Sequence, residues 1–327
     1  MKILFVDMQY DYGQKSRGSN DIGEIGFRKP FEKLGHEVIP FYYDDYLKNT
    51  EVLQIAILKK ADEVKPDLIY FILFAEQFKT ETLQQLKSKY KTINWFGDDQ
   101  WRFKTFTSKY APHFSYCITT DPFSINKYRQ LGIKNVFLSQ WAALNLPVRP
   151  FENNYIYDVS FIGGSHSVRR WFIHELRKKG IKVNTFGHGW EEGPVQLDEM
   201  VTIFRQSKIN LNIGNSVHLD LRYLLHNLKN PFVAYKSARA SSQIKARNFE
   251  IPYYGGFQLA EYVPKIENYF DLSKDLACFS NVDEAVMLIE YYLENAEERE
   301  TIKMSGFNKA HSQHTYLNRH QEIFAQL

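Results

Sequence analysis

Cysteine is nearly absent: Cys117 and Cys278 are the only two in 327 residues. At most one bridge can form, and both sit in apolar, strand-like contexts that read as reduced, buried thiols. Long apolar runs are missing too. The longest, Leu68 to Ala75, falls well below the ~20 residues of a membrane helix. The run at Met1–Asp7 is too short for a signal-peptide core, so a cytoplasmic protein is expected. Neither charge sign dominates. Lys and Arg number 41 against 38 Asp and Glu, a net +3 that by itself argues for no nucleic-acid partner. No H-E-x-x-H, C-x-x-C, G-x-S-x-G or D-x-D occurs, so zinc-hydrolase and serine-hydrolase chemistry lack their residues. His311 and His314 stand three apart without a third ligand, and no metal is expected. There is no internal repeat and no low-complexity tract.

What is present is an ordinary globular mixture, 44% apolar and 24% charged, at a length suited to two domains of roughly 100–200 residues. Short β-rich runs alternate with amphipathic stretches, the pattern of parallel α/β layering. The first series of strands is Lys2–Asp7, Glu37–Phe41, Leu68–Leu73, Thr92–Phe96, Tyr116–Thr119 and Asn135–Leu138, with helices between them. Continuous apolar runs such as Leu-Ile-Tyr-Phe-Ile-Leu indicate strands buried on both faces. The pattern lapses at Asn145-Leu-Pro-Val-Arg-Pro150, which we read as the domain boundary. A second series follows with strands at Asp158–Ile162, Lys182–Phe186, Ile209–Ile213 and Phe257–Leu259. The stretch Asn215–Ser242 has no clear period and reads as a long insertion or mobile loop. The expected domains are residues 1–148, residues 149–314, and a final helix at 315–327.

Five segments carry candidate chemistry. Gln243, Arg247 and Glu250 stand at i, i+4 and i+7 on one face of an expected helix, ended by Pro252 and the Gly255-Gly256 pair. Arg247 and Lys245 can meet a diphosphate, and Glu250 can accept two ribose hydroxyls, although an exposed Arg–Glu pair gives the same spacing. Gly163-Gly-Ser-His-Ser-Val-Arg-Arg170 follows a strand and opens a helix. Gly163 and Gly164 let backbone amides approach an anion, and Arg169 or Arg170 can complete the clamp. Gly187-His-Gly-Trp190 is a further post-strand turn, with His188 and Trp190 as base or phosphate contacts or as a simple turn. Trp95-Phe-Gly-Asp-Asp-Gln-Trp-Arg-Phe103 ends a central strand of the first series. Asp98 or Asp99, the latter preferred, can act as general base or orient an acceptor, with Trp95 and Trp101 as stacking platforms. A helix cap and a core tryptophan are the plain alternative. Finally, Tyr10–Asn20 is a polar, glycine-containing loop in which Arg17 is the residue to test. Lys229, Lys236, Arg239, Lys245 and Arg247 form a local basic cluster with no acid between them, facing phosphate or a membrane.

The segments Gln243–Tyr262, Trp95–Phe103 and Phe186–Trp190, with Thr119-Thr-Asp121, Tyr157–Gly163, Ser207–Asn212, Glu297–Ile302 and His314-Thr-Tyr316, resemble the CgeB-like branch of the glycosyltransferase group 1 superfamily. The resemblance runs from about Lys65 onward and is specific for the family, not for the sugar. It implies an α/β GT-B fold: two Rossmann-like, doubly wound domains facing a central cleft, the last helix crossing back to the first domain. It also implies metal-independent transfer from a nucleoside-diphosphate sugar to a glycan, lipid-linked or other hydroxyl acceptor, in bacterial surface polysaccharide or glycoconjugate assembly. No cofactor is implied, and the missing D-x-D agrees, because that motif serves the other large glycosyltransferase fold. The family's retaining members carry a glutamate near Ser242 as well as at Glu250. Its absence leaves the stereochemistry open, with retention favoured. A phage-type enzyme acting on DNA bases, a non-catalytic nucleotide-sugar-binding protein and a nucleotide-sugar epimerase fit the same plan. Peripheral membrane contact and a nucleic-acid acceptor stay open.

Overall fold

The computed structural model describes residues 1–147, 154–216, 220–237 and 242–327. It divides into two compact units, Met1–Asn145 with Tyr316–Leu327, and Leu146–Thr315. Each is a parallel sheet with helical crossovers, as the alternation of apolar runs and amphipathic stretches requires.

In the first unit β1 (Lys2–Asp7), β2 (Glu37–Tyr42), β3 (Leu68–Phe71), β4 (Lys91–Phe96), β5 (Tyr116–Thr119) and β6 (Val136–Leu138) lie in the order β2-β1-β3-β4-β5-β6. β1 pairs with β2 on one side and β3 on the other, so the winding reverses between β1 and β3. Ligands of doubly wound sheets bind beyond the strand ends at that reversal. The core behind it is aromatic, with Phe5, Phe27, Phe31 and Tyr70 in stacked, edge and tilted contacts at 4.9–6.5 Å.

The helix Tyr316–Phe324 packs on this unit. Its buried His320 lies 4.7 Å from the rings of Phe27 and Phe31, and its Nε2–H donates to Gly26 O at 2.8 Å. Burial pushes His320 down to about 3 from 6.5. The unfolded chain therefore binds the proton that the folded chain refuses, and stability is lost as pH falls below about 6.5 toward 3. The buried acids described below pull the other way, so the test is a difference. Relative to His320→Gln, which keeps a donor for Gly26, wild type should lose about 1.4 kcal/mol per pH unit between pH 6 and 4. Parallel pH profiles would remove His320 from the acid response.

In the second unit β7 (Tyr157–Ile162), β8 (Asn184–Phe186), β9 (Ser207–Asn212), β10 (Gln258–Glu261) and β11 (Ala277–Phe279) lie in the order β11-β10-β9-β7-β8. The winding reverses between β7 and β9. Cys117 and Cys278 are both free, one on β5 and one on β11.

Three expectations change. β11 was absent from the sequence reading. The helix before β10 spans Arg247–Tyr253, so Gln243 and Lys245 precede it, and Pro252 lies inside it. The described part of 215–242 is not a plain loop, since it holds the short helices Leu221–His226 and Asn230–Lys236. Arg239 and the connector residues Arg149 and Pro150 lie outside the described residues. Among the described residues no helix is long and apolar enough to cross a membrane.

Candidate functional site

A pocket of about 240 Å³ opens at the winding reversal of the first unit, beyond the ends of β1, β3 and β4. Asp7, Asn20, Trp95, Asp98, Arg102 and Trp141 are among its lining. Two turns of π-helix, Ile22–Arg28 and Phe103–Thr107, border it, a local widening that often marks functional positions.

Asp98 and Asp99 part company here. Asp98 is half-buried and lines the pocket. Asp99 begins the next helical turn and points into the core, where its carboxylate accepts the hydroxyls of Thr107 and Thr119 at 2.6 Å and Tyr128 at 2.7 Å. Burial raises it to about 6, against the lowering effect of the three hydroxyls. The structure gives Asp99, the acid preferred from sequence, a structural use: its hydrogen bonds join its own helical turn to the Phe103–Thr107 turn, β5 and the Ile125–Gln130 helix. Asp99→Ala leaves three buried hydroxyls without their acceptor and should cost at least about 3 kcal/mol. Urea unfolding would show it. A loss under 1 kcal/mol would contradict the pinning role.

Sequence reasoning passed over Asp7. It ends β1, is 1% exposed, and lines the pocket. Asn20 Nδ2 donates to Asp7 Oδ2 and to Met8 O, both at 3.0 Å, while Asn20 Oδ1 accepts Gly23 N–H at 3.1 Å. A side chain at Gly23 would collide with the Asp7 carboxyl, so glycine is required there. Burial holds Asp7 well above the carboxylate range, and the charge of Asp44 adds to this. Its only sequence signal is an acid at the carboxyl end of the first parallel strand. The neighbouring Arg102 has its guanidinium 4.1 Å above the Phe106 ring. Burial lowers its basicity.

Trp95 is 3% exposed and contacts Phe27 and Trp141 edge-on, and its Nε1–H has no partner among the described residues. Trp101 stands outside the pocket lining, with Arg102 5.6 Å above its ring. Arg17 does not line the pocket either. It pairs with Asp11 at 2.8 Å and covers Tyr12 at 4.6 Å, and those two residues form the rim. The Tyr10–Asn20 loop is itself closed by a Tyr10–Ser19 bridge.

In the second unit the turns after β7 and β8 lock together. Gly163 N–H donates to Phe186 O at 2.8 Å, and Ser165 N–H to His188 O at 3.0 Å. Gly187 (φ +120°) abuts the Gly163 carbonyl, where no Cβ would fit. Trp190 Nε1–H donates to Gly163 O at 2.7 Å, so this tryptophan braces the turn, while His188 is exposed. Arg169 spans the winding reversal. Its Nε donates to Ile213 O and Gly214 O at 3.0 and 3.1 Å, and its Nη1 to Gly164 O at 3.2 Å. It shapes the turn as a strut joining β7 to β9.

A further acid missed by sequence, Glu261, ends β10 and is 6% exposed. It accepts Gly214 N–H at 2.7 Å and Ser242 Oγ–H at 3.3 Å. A carboxylate from another strand thus reaches the serine found where the resembled family has an acid.

The helix holding Arg247 precedes a parallel strand, so its N-terminus lies at the same sheet end as these turns. Arg247 Nη1 is 3.1 Å from Glu250 Oε2, and its guanidinium covers Phe204 at 5.3 Å. Burial raises Glu250, opposed by Arg247. Lys245 N–H bonds Asn248 Oδ1 at 3.0 Å. Among the described residues, His174, Glu175 and His226 alone form a group able to hold a metal, and none is a candidate site residue.

Residues 169–325 match the glycosyl transferase-like family. The matched span begins at Arg169 and takes in the β9–β10 end, the Arg247–Glu250 pair and all of the last helix. The chain is also similar along its length to solved structures. HepE of Anabaena, in complex with UDP-glucose, has 12% identity, full coverage of both chains and a TM-score of 0.65. A glycosyltransferase from Rickettsia africae has 11% identity, 99% and 98% coverage and a TM-score of 0.62. Sucrose-phosphate synthase from Thermosynechococcus elongatus has 11% identity, 100% and 98% coverage and a TM-score of 0.57. The fold is therefore GT-B, built from two Rossmann-like domains. A search of curated proteins gave no significant match.

Proposed function

We propose that the chain is a glycosyltransferase of the CgeB-like branch that moves a sugar from a nucleoside diphosphate to a hydroxyl acceptor, without a metal. The observation that carries this reading is the glycosyl transferase-like match over residues 169–325 within a GT-B fold. The pocket of the first unit takes the acceptor. Its two tryptophans supply an apolar platform, and Asp7, Asn20 and Asp98 supply hydrogen bonds to hydroxyls. Asp98 accepts the acceptor proton as the new C–O bond forms and the bond from the sugar to the diphosphate breaks. Asp7, whose proton affinity burial raises, positions the acceptor.

On the donor side, the backbone amide of Gly164 and the cations Arg247 and Lys245 face the leaving diphosphate, and Glu250 binds the ribose. His188 stands at the edge of that turn, and Glu261 with Ser242 contacts the sugar. Surface glycan assembly is the setting.

Thermal unfolding with UDP, GDP, CDP and TDP sugars tests the donor assignment. The bound donor should stabilise by about 2.7 kcal/mol at 100 times its dissociation constant. No shift with any of the four would overturn it. Transfer should also persist in EDTA, since fixed cations and amides stabilise the leaving group. Loss of turnover restored by manganese or magnesium would contradict the metal-free mechanism. A putative UDP-N-acetylglucosamine 2-epimerase from Listeria monocytogenes is also similar, with 8% identity, 95% and 94% coverage and a TM-score of 0.54. Conversion of donor without nucleotide release would select that reaction class instead.

A further inference from the structure

The segment Leu221–Ser237 of the second unit carries the most exposed apolar surface among the described residues. Leu225, Leu228, Phe232 and Tyr235 are 84%, 92%, 70% and 90% exposed, and Leu221 is 71% exposed. Isolated apolar side chains on a surface need no explanation, but five large ones within fifteen residues do.

The segment is anchored from beneath. Tyr223 is fully buried, its hydroxyl 3.0 Å from Ser167 Oγ and its ring 5.6 Å from Trp171. Asn230 Nδ2 donates to Tyr223 O at 2.7 Å, joining the two short helices. Arg222 ties the first of them to Asp283 at 2.9 Å. With the inner side chains so engaged, the leucines, Phe232 and Tyr235 are left to the solvent side.

Charge identifies the occupant. From Leu221 to Phe249 the sequence has six cations (Arg222, Lys229, Lys236, Arg239, Lys245 and Arg247) and no Asp or Glu. Lys229 and Lys236 alternate with the exposed apolar residues. Leucine and phenylalanine to enter the acyl boundary, tyrosine for the headgroup level, and lysines beside them suit an anionic bilayer surface. A second copy would set cation against cation across the contact. A nucleic acid would leave the leucines unused.

We propose that Leu221–Lys236 is an interfacial docking element that seats the protein on an anionic lipid surface, its apolar side chains in the headgroup–acyl boundary and Lys229 and Lys236 on the lipid phosphates. The inference is independent of the glycosyl-transfer reading.

Co-sedimentation of the full chain with phosphatidylcholine vesicles, with and without phosphatidylglycerol, tests it. Binding is expected to the phosphatidylglycerol vesicles, weakening as salt rises. Leu225→Asp with Phe232→Ser should reduce it at least about ten-fold, the mark of apolar insertion. Lys229→Glu with Lys236→Glu should abolish the preference for anionic vesicles. All four positions face solvent, so melting curves of both variants should match wild type. Absence of binding, equal binding to both vesicle types, or binding unchanged by the apolar pair would overturn the proposal. So would light scattering that shows a dimer dissociated by these substitutions, or tighter binding to single-stranded DNA than to vesicles.

Discussion

Asp98→Asn should lower glycosyl transfer by about 10²–10⁴-fold, the usual contribution of a positioned general base, while nucleotide affinity stays unchanged. Asp98 is a half-buried carboxylate that lines the first-unit pocket with Trp95, within the field of Arg102. The comparison with Asp7→Asn gives the prediction its edge. Burial raises Asp7 well above the carboxylate range and Asn20 donates to it at 3.0 Å, and asparagine is close in shape to a carboxyl group. Asp7→Asn should therefore keep transfer within about ten-fold of wild type, a loss of at most about 1.4 kcal/mol. Steady-state kinetics of both variants would decide. If Asp7→Asn is the severe variant and Asp98→Asn the mild one, the base is Asp7 and the roles are exchanged.

Glu250→Gln should weaken nucleoside diphosphate binding by about 10- to 150-fold, or 1.5–3 kcal/mol, the worth of a hydrogen bond to a charged group. Glu250 is buried and its carboxylate is fixed by Arg247 at 3.1 Å, so its geometry is set before a ligand arrives. The substitution also removes the partner of Arg247, so stability and binding have to be read apart. Calorimetric titration at a temperature where both proteins are folded does this. Unchanged affinity would return the pair to a purely structural role.

The strands were legible because parallel strands covered on both faces read as short apolar runs, as at Leu68–Phe71 and Tyr116–Thr119. β11 was not, because Ala277-Cys278-Phe279 is too short to show a period. The two helices at 221–236 were hidden for a different reason: their outward faces are apolar, which erases the amphipathic signal.

At the candidate site, sequence pointed to the end of β4 but did not show the orientation of its acids. Adjacent residues entering a helix point about 100° apart, and that rotation sends Asp98 to the pocket and Asp99 to three hydroxyls in the core. The environment of Asp7 depends on Asn20, Gly23 and Asp44, distant in sequence, and no local pattern announces it. Arg169 and Trp190 have a use that their motifs did not show. Their donors go to backbone carbonyls that shape the turn. Glu261 was overlooked because a lone acid ending a buried strand has no motif.

Release of nucleoside diphosphate by the purified protein, measured across nucleotide sugars in the presence of EDTA, tests the central claim most directly. One donor class should yield nucleotide and transferred or hydrolysed sugar in equal amounts, at a rate that collapses in Asp98→Asn. Nucleotide sugars that bind without turnover, or that are converted with the nucleotide still attached, would contradict it.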